Sequence, residues 1–216
     1  MSQVVMKRNE RIDDIQFDGG ILCLDFVNTV HDRKKKPVPD YLHHIIDLIA
    51  WAAKIGLFDK KSEALLNRSI PGNLKKSNQF FDYALNLREL LYDMFFTISQ
   101  GKAIRNADLE KFNVYTADHF SFINLKVKQG EYRAGWNLPN YSLQRITAPV
   151  VKDAYELLLG NRLDRVKECS NCGWLFLDTT KNGKRRWCSM KSCGSNIKAL
   201  EWYYRQKETK QVSHAS

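Results

Sequence analysis

Four of the five cysteines crowd between Cys169 and Cys193, and their spacing constrains the chain more than any other feature. The pattern is Cys169-x2-Cys172, fifteen residues, then Cys188-x4-Cys193. Two residues between the first pair let one tight turn aim both sulfurs at a single ion, and Gly173 supplies the positive φ such turns often need. The opening Met1-Ser-Gln-Val-Val-Met-Lys-Arg lacks a secretory apolar core, and no run of about 18 apolar residues suggests a membrane span. The expected location is the cytoplasm, with no membrane partner. Thiols stay reduced there, so clustered cysteines are better metal ligands than disulfides. The spacing predicts one structural Zn2+ held by Cys169, Cys172, Cys188 and Cys193. Four thiolates fill a tetrahedron and leave no position for water, which opposes hydrolytic zinc chemistry. No His-Glu-x-x-His motif, nucleophile–base arrangement or phosphate-cradling glycine loop is visible, and the expectation is a non-enzyme.

Between the cysteine pairs, Trp174-Leu-Phe-Leu-Asp178 and Arg185-Arg-Trp187 read as short strands. They flank Asn182-Gly183, a strong hairpin-turn signal. A final helix follows to about Lys207, with Cys193, Ile197, Leu200 and Tyr204 on the face expected to pack against the hairpin. Knuckle, hairpin and helix in that order resemble treble-clef and ribbon zinc folds. So small a module has little core, and zinc supplies such units with on the order of 10–16 kcal/mol of apparent folding free energy. Removing zinc is expected to unfold residues 165–207 and leave the rest folded.

The preceding residues, 17–160, read as a mainly helical domain with one β-hairpin, making the whole chain α+β. Residues 1–16 and 208–216 read as polar tails. In Ile21-Leu-Cys-Leu-Asp-Phe-Val-Asn-Thr-Val30 the apolar run fits helix or strand, but Asp25, Asn28 and Asp32 share one face only in a helix. Lys34-Lys-Lys-Pro-Val-Pro39 is a loop. Further helices are predicted over about 41–55, stopped by Gly56, over about 77–99, stopped by Gly101, and from a cap at Asn106 to about Thr116. Then the period changes to two. Ile123, Leu125 and Val127 share one side of a strand, Gln129-Gly130 makes a turn, and Tyr132, Ala134, Trp136 and Leu138 share one side of the next strand, a β-hairpin pattern. A last helix spans about 142–159, with a kink or restart expected at Pro149.

The formal charge is +10, unevenly placed: from Gly160 onward there are 12 Lys+Arg against 5 Asp+Glu. Such a field favours polyanions. Lys184, Arg185 and Arg186 on the hairpin edge, with Lys191, Lys198 and Arg205 spaced seven apart on the helix, are the candidate nucleic-acid contacts. Trp174 and Trp187 read as core, while Trp202 and Tyr203 are open to either core or base stacking. Asp25, Asn28 and Arg33 are candidates for lining a small-molecule effector site, against the alternative of bridging neighbouring backbone. Cys23, between two leucines, reads as a buried, inert thiol.

Leu175-Phe-Leu-Asp178, Arg185-Arg-Trp-Cys-Ser-Met190 and Cys193-Gly194 resemble the CGNR zinc-finger family, and Gly19-Gly20 through Leu24-Asp-Phe-Val-Asn-Thr29 resembles the opening of the ABATE domain that normally precedes that finger. The resemblance spans nearly the whole chain up to about Lys207. It implies a bacterial, stress-linked transcription regulator whose N-terminal domain senses a ligand and whose zinc module binds DNA. The four cysteines carry over as ligands. The family's name sequence Cys-Gly-Asn-Arg reads Cys193-Gly194-Ser195-Asn196 here, so a cation that could contact phosphate is replaced at Asn196. The alternative from another class is a zinc-stabilised protein-interaction module that never meets nucleic acid.

Overall fold

The computed structural model describes residues 8–213, with side chains described to residue 206. Seven helices make up most of it: α1 (Leu22–Val27), α2 (Ile45–Lys54), α3 (Lys60–Ser69), α4 (Leu74–Ser99), α5 (Asn106–Phe120), α6 (Gln144–Leu159) and α7 (Ser195–Ser213). Four strands form two separate antiparallel pairs: β1 (Ile123–Lys128) with β2 (Glu131–Trp136), and β3 (Val166–Glu168) with β4 (Leu175–Leu177). The α+β expectation, mainly helical with a small C-terminal module, holds.

The 26-residue α4 is the spine. Phe81, Ala84, Leu87, Leu91, Met94 and Phe95 recur at helical spacing and are buried on the face that meets α1, α2 and α5. Short α1 is buried along nearly its whole length, because it is wedged between α4 and α6 and also touches β4. An element covered on all sides has to be apolar all round, which explains why its hydrophobic pattern alone does not separate helix from strand. α6 runs as one helix despite Pro149. The proline stands in its second turn, where it forgoes one backbone bond, and Ile146, Val150, Val151, Ala154 and Leu157 still pack on one side. Asn106 is the first residue of α5 rather than its cap; Arg105 caps instead and its guanidinium meets Asp108 at 2.7 Å. The β1–β2 register joins Ile123 to Trp136, Leu125 to Ala134 and Val127 to Tyr132 across a turn with positive φ at Gln129 and Gly130.

The polar arm expected over residues 1–16 needs correction. Residues 1–7 lie outside the described part, but Glu10–Asp14 forms a 3-10 turn that buries Ile12 and Ile15 against α2. Lys54 from α2 donates to the carbonyls of Ile12, Asp13 and Ile15. At the other end, the expected tail from 208 continues as helix: α7 runs to Ser213.

The loop between α1 and α2 is closed at its base by a Val30–Asp40 bridge and by the His31 amide on the Pro39 carbonyl. Arg88 of α4 then locks it from below. Its guanidinium makes two bonds to the Asp40 carboxylate, at 2.9 and 2.7 Å, and a third to the Thr29 hydroxyl. Arg88 is only 4% exposed. Removing Arg88 leaves the Asp40 carboxylate, 27% exposed and still accepting the Leu42 amide, without its main partner, at a cost of about 1–3 kcal/mol. Arg88→Ala is therefore expected to lower the stability measured by urea unfolding by roughly that amount. Arg88→Lys, which keeps the charge but loses the two-pronged geometry, should recover only part of it.

A four-cysteine zinc centre sewn to the first helix

The C-terminal module starts with β3 and β4, and the first two cysteines sit in the turn between them. Gly173 adopts φ +76° there, and the Cys169 amide bonds the Trp174 carbonyl at 2.7 Å. This differs from the expected strand pairing. Leu175–Leu177 pairs with Val166–Glu168, ahead of the knuckle, and 185–187 forms no strand. The physical reason is Asp178, at the end of β4 and 1% exposed. Its carboxylate accepts the Thr180 amide and hydroxyl on one oxygen and the Arg185 amide on the other. Lys167 stands 3.1 Å from it. Burial opposes ionisation of Asp178, but these donors outweigh it and hold the carboxyl well below the usual range. The backbone therefore curls around Asp178. The Asn182-Gly183 turn forms, with Gly183 at φ +59°, but it closes a loop and no ladder follows.

That loop returns Cys188 to the knuckle, and a single π-helical turn, Met190–Gly194, delivers Cys193. The sulfurs of Cys169, Cys172, Cys188 and Cys193 all lie within 4.8 Å of one another, and all four residues are buried. Cys172 and Cys188 are 3.7 Å apart, Cys188 and Cys193 3.6 Å. A tetrahedron with Zn–S bonds of about 2.3 Å has edges near 3.8 Å, so the donor set fits one zinc ion. These four cysteines form the structural zinc site of the chain. Zinc there contributes folding free energy by cross-linking the knuckle, the loop and the root of α7.

The module does not stand apart from the helical part. Its cysteines, Trp174, Leu175, Phe176 and Leu177 belong to the same buried apolar cluster as α1, α2, α4 and α6. The expectation that residues 165–207 unfold alone on zinc removal is therefore revised: the two parts share a core. Leu175 directs both backbone groups away from β3, and Asn28 takes both. The Asn28 amide nitrogen donates to the Leu175 carbonyl at 2.8 Å, and its oxygen accepts the Leu175 amide at 3.0 Å. Next along, the Leu177 amide bonds the Gly19 carbonyl, and the Trp174 indole donates to the Val30 carbonyl at 2.6 Å. The Arg33 amide donates to the carbonyl of the zinc ligand Cys172 at 2.9 Å. Gly19 and Asn28, from either end of α1, thus stand in for a strand along the free edge of β4.

The candidate effector residues fall within this joint. Asn28 is 1% exposed and fully engaged with Leu175. Arg33 pairs with Glu89 at 2.7 Å, donates to the Val27 carbonyl and lies 3.6 Å over the Tyr92 ring. Asp25 accepts the Gly19 amide at 2.8 Å. Burial, with Asp18 and Asp153 nearby, pushes its carboxyl up to about 7 although the Gly19 amide pulls the other way. Cys23 is fully buried, and burial together with Asp153 drives its thiol well above the ordinary range.

The six candidate nucleic-acid residues separate into groups. Lys184, Arg186 and Lys191 are exposed and line one cleft of about 940 Å3, together with Trp187 and Met190. Arg185 lines the same cleft but turns its donors inward, to the carbonyls of Trp187 and Cys188, and its guanidinium lies over Phe176. Lys198 and Arg205 are exposed on α7, seven residues apart. Lys191 falls in the π turn, which winds more residues per turn and shifts it off their register. Leu200 and Tyr204, expected to pack inward, are 54% exposed, because α7 runs off the module. Trp174 is core, and Trp202 and Tyr203 are exposed. Asp178 falls in the Leu175-Phe-Leu-Asp178 stretch that carries the family resemblance, but its role as organiser of the loop left no local signal in the sequence.

The site defines a zinc finger of the four-cysteine type, fused through a shared core to a helical domain. The CGNR zinc finger model matches residues 165–206. The ABATE model, described as "Putative stress-induced transcription regulator", matches residues 20–161. The chain belongs to the ABATE family and carries the CGNR zinc finger as its C-terminal module. Comparison with curated proteins found no match.

Two outcomes follow from the joint. Asn28→Ala orphans both backbone groups of Leu175, at a cost of about 1–3 kcal/mol for each buried group. It is expected to lower the urea midpoint and to speed zinc transfer to a colorimetric chelator; wild-type values of both would refute the joint. For Asp25, the folded-state pKa lies above the ordinary 3.8. The folded state therefore holds its proton longer than the unfolded state does, and this group erodes stability as pH rises from about 4 to 7. Asp25→Asn, which still offers an oxygen to the Gly19 amide, should remove that loss. Its stability relative to wild type should increase between pH 5 and pH 8 in parallel urea titrations.

Proposed function

We propose that this protein is a nucleic-acid-binding regulator without enzymatic activity, acting in a reducing cytoplasm, and that DNA is its favoured target. The observation that carries this reading is the convergence of Lys184, Arg186 and Lys191 on one cleft of the zinc module. These cations come from the Asp178-centred loop and from the π turn that holds Cys193, so zinc fixes their spacing. Arg186 also lies 5.3 Å from the centre of the Trp187 ring, a cation–π contact within the cleft. The frame fixes the backbone beneath these exposed cations, and each phosphate they neutralise releases counterions. Lys198 and Arg205 of α7 extend the basic surface. Among the described residues no helix is long and apolar enough to cross a membrane. Asp25, Asn28 and Arg33 enter this reading as the joint that fixes the module and not as a pocket for a small-molecule effector.

A second reading has its own observation. Leu200, Tyr203 and Tyr204 share one face of α7 and are each more than half exposed, an apolar face that suits a protein partner, while Trp202 is exposed on the other side. The two readings separate by salt dependence. Fluorescence polarisation of the zinc-loaded protein with mixed-sequence DNA and RNA across a salt series should show binding that weakens steeply as salt rises. Lys184→Ala/Arg186→Ala/Lys191→Ala should reduce the slope of log K against log salt by roughly 2–3 units, at about 0.9 per phosphate on duplex DNA. Arg185→Ala is the wrong probe, since it disturbs the loop itself. No binding at low salt, with zinc content verified, would overturn the nucleic-acid reading in favour of the protein partner.

A further inference from the structure

The loop Asp32–Pro39 belongs to the helical part in sequence, yet the structure anchors it on the zinc module. The Arg33 amide holds the Cys172 carbonyl at 2.9 Å. The Lys34 ammonium donates to the Ser170 carbonyl at 2.9 Å and lies 3.2 Å from Glu168. A Cβ added at Gly173 would meet Arg33 Cβ at 3.2 Å and Lys34 Cγ at 3.5 Å, so loop and knuckle are in close contact. Of the three consecutive lysines, Lys34 is therefore occupied by the module. The next two are not. The side chain of Lys35 is 68% exposed and lies 3.8 Å from Asp32, and Lys36 is exposed.

Lys35 lines a groove of about 510 Å3 whose other wall includes Asn171, Ser192 and Asn196 of the module. That groove shares Gln16, Asp18 and Ser192 with the cleft of Lys184, Arg186 and Lys191. The two depressions therefore lie side by side, bordered in common by Gln16, Asp18 and Ser192, with cations on both. Asp14, Asp18 and Asp32 also border the inner groove, and Cys172, Cys188 and Cys193 form part of its floor. Carboxylates and thiolates repel phosphate, so an anionic chain would follow the side of Lys35 and the Asn196 amide, with exposed Lys36 next in sequence, and not the floor.

We propose that the nucleic-acid surface is composite, with Lys35 and Lys36 of the helical domain contacting the phosphodiester backbone alongside the cleft cations of the zinc module. This rests on the nucleic-acid reading above and adds a second contact region to it. The geometry requires the loop to be held rigidly, and Arg33, Lys34 and the Arg88–Asp40 pair supply that. Asn196 then lies between two cationic groups, so the module does not need a cation of its own at that position.

The test uses the full zinc-loaded chain and a mixed-sequence duplex of about 20 base pairs, followed by fluorescence polarisation across a salt series. Lys35→Ala/Lys36→Ala should lower the slope of log K against log salt by about 1–2 units, while Lys35→Arg/Lys36→Arg keeps it. Lys75→Ala/Lys76→Ala, an equal loss of charge at the exposed start of α4, should leave it unchanged. A wild-type slope in the Lys35/Lys36 alanine variant, while the Lys184/Arg186/Lys191 variant loses slope, would overturn the composite surface and leave the nucleic-acid reading standing. Equal losses in the α4 control would overturn it too, by assigning the effect to net charge. Absence of salt-dependent binding by the wild type would overturn both.

Discussion

A strand of three residues has two edges, and whatever satisfies the second edge decides where the zinc module can sit. β3 covers one edge of β4. The other is covered by one side chain, Asn28, which answers both the amide and the carbonyl of Leu175, and by the Gly19 carbonyl on the Leu177 amide. An unpaired backbone group buried in this core would cost as much as a lost hydrogen bond, so the arrangement is close to obligatory. The other contacts depend on it. With Asn28 in place, Val30 reaches the Trp174 indole, Arg33 reaches the Cys172 carbonyl, and the lysine loop lies on the knuckle.

The module then solves two problems with one set of groups. It is too small to bury much apolar surface alone, so it shares the core of α1, α4 and α6. It also carries many cations, and those nearest the core are neutralised or saturated there. Arg185 closes on carbonyls and Phe176, and Lys167 stands by Asp178, whereas Lys184, Arg186 and Lys191 face solvent. Inward cations build the loop and outward ones give it a field. Runs of like charge are divided by fold and not by sequence position.

That division explains what the sequence made legible. The cysteine spacing identifies the ligand set directly, because metal geometry limits which thiols can meet. Helical spacing places α2 and α4, and the change to a period of two places the β1–β2 hairpin, because these depend on local pattern. The joint is not local: Asn28 and Leu175 are 147 residues apart, and an asparagine bordering an apolar helix looks the same whether it serves a ligand or a strand. Arg185 and Arg186 are adjacent and chemically identical, yet they face opposite ways. The Asn182-Gly183 signal correctly marks a turn but not what flanks it, since a buried aspartate outcompetes a ladder for the Arg185 amide. Ile12 and Ile15 were concealed among charged neighbours, where period and composition both read as tail.

The distance in sequence across that joint also sets an order of events during synthesis. A ribosome releases α1 long before β4 exists, so the nascent helical part carries Asn28 and the apolar face around it uncovered for most of its time in the exit tunnel's vicinity. Contacts of such long separation form late, and their loop-closure entropy slows folding. The stretch that seals α1 therefore emerges 147 residues after Asn28, and a chain cut short before Val166 would be left with an open seam.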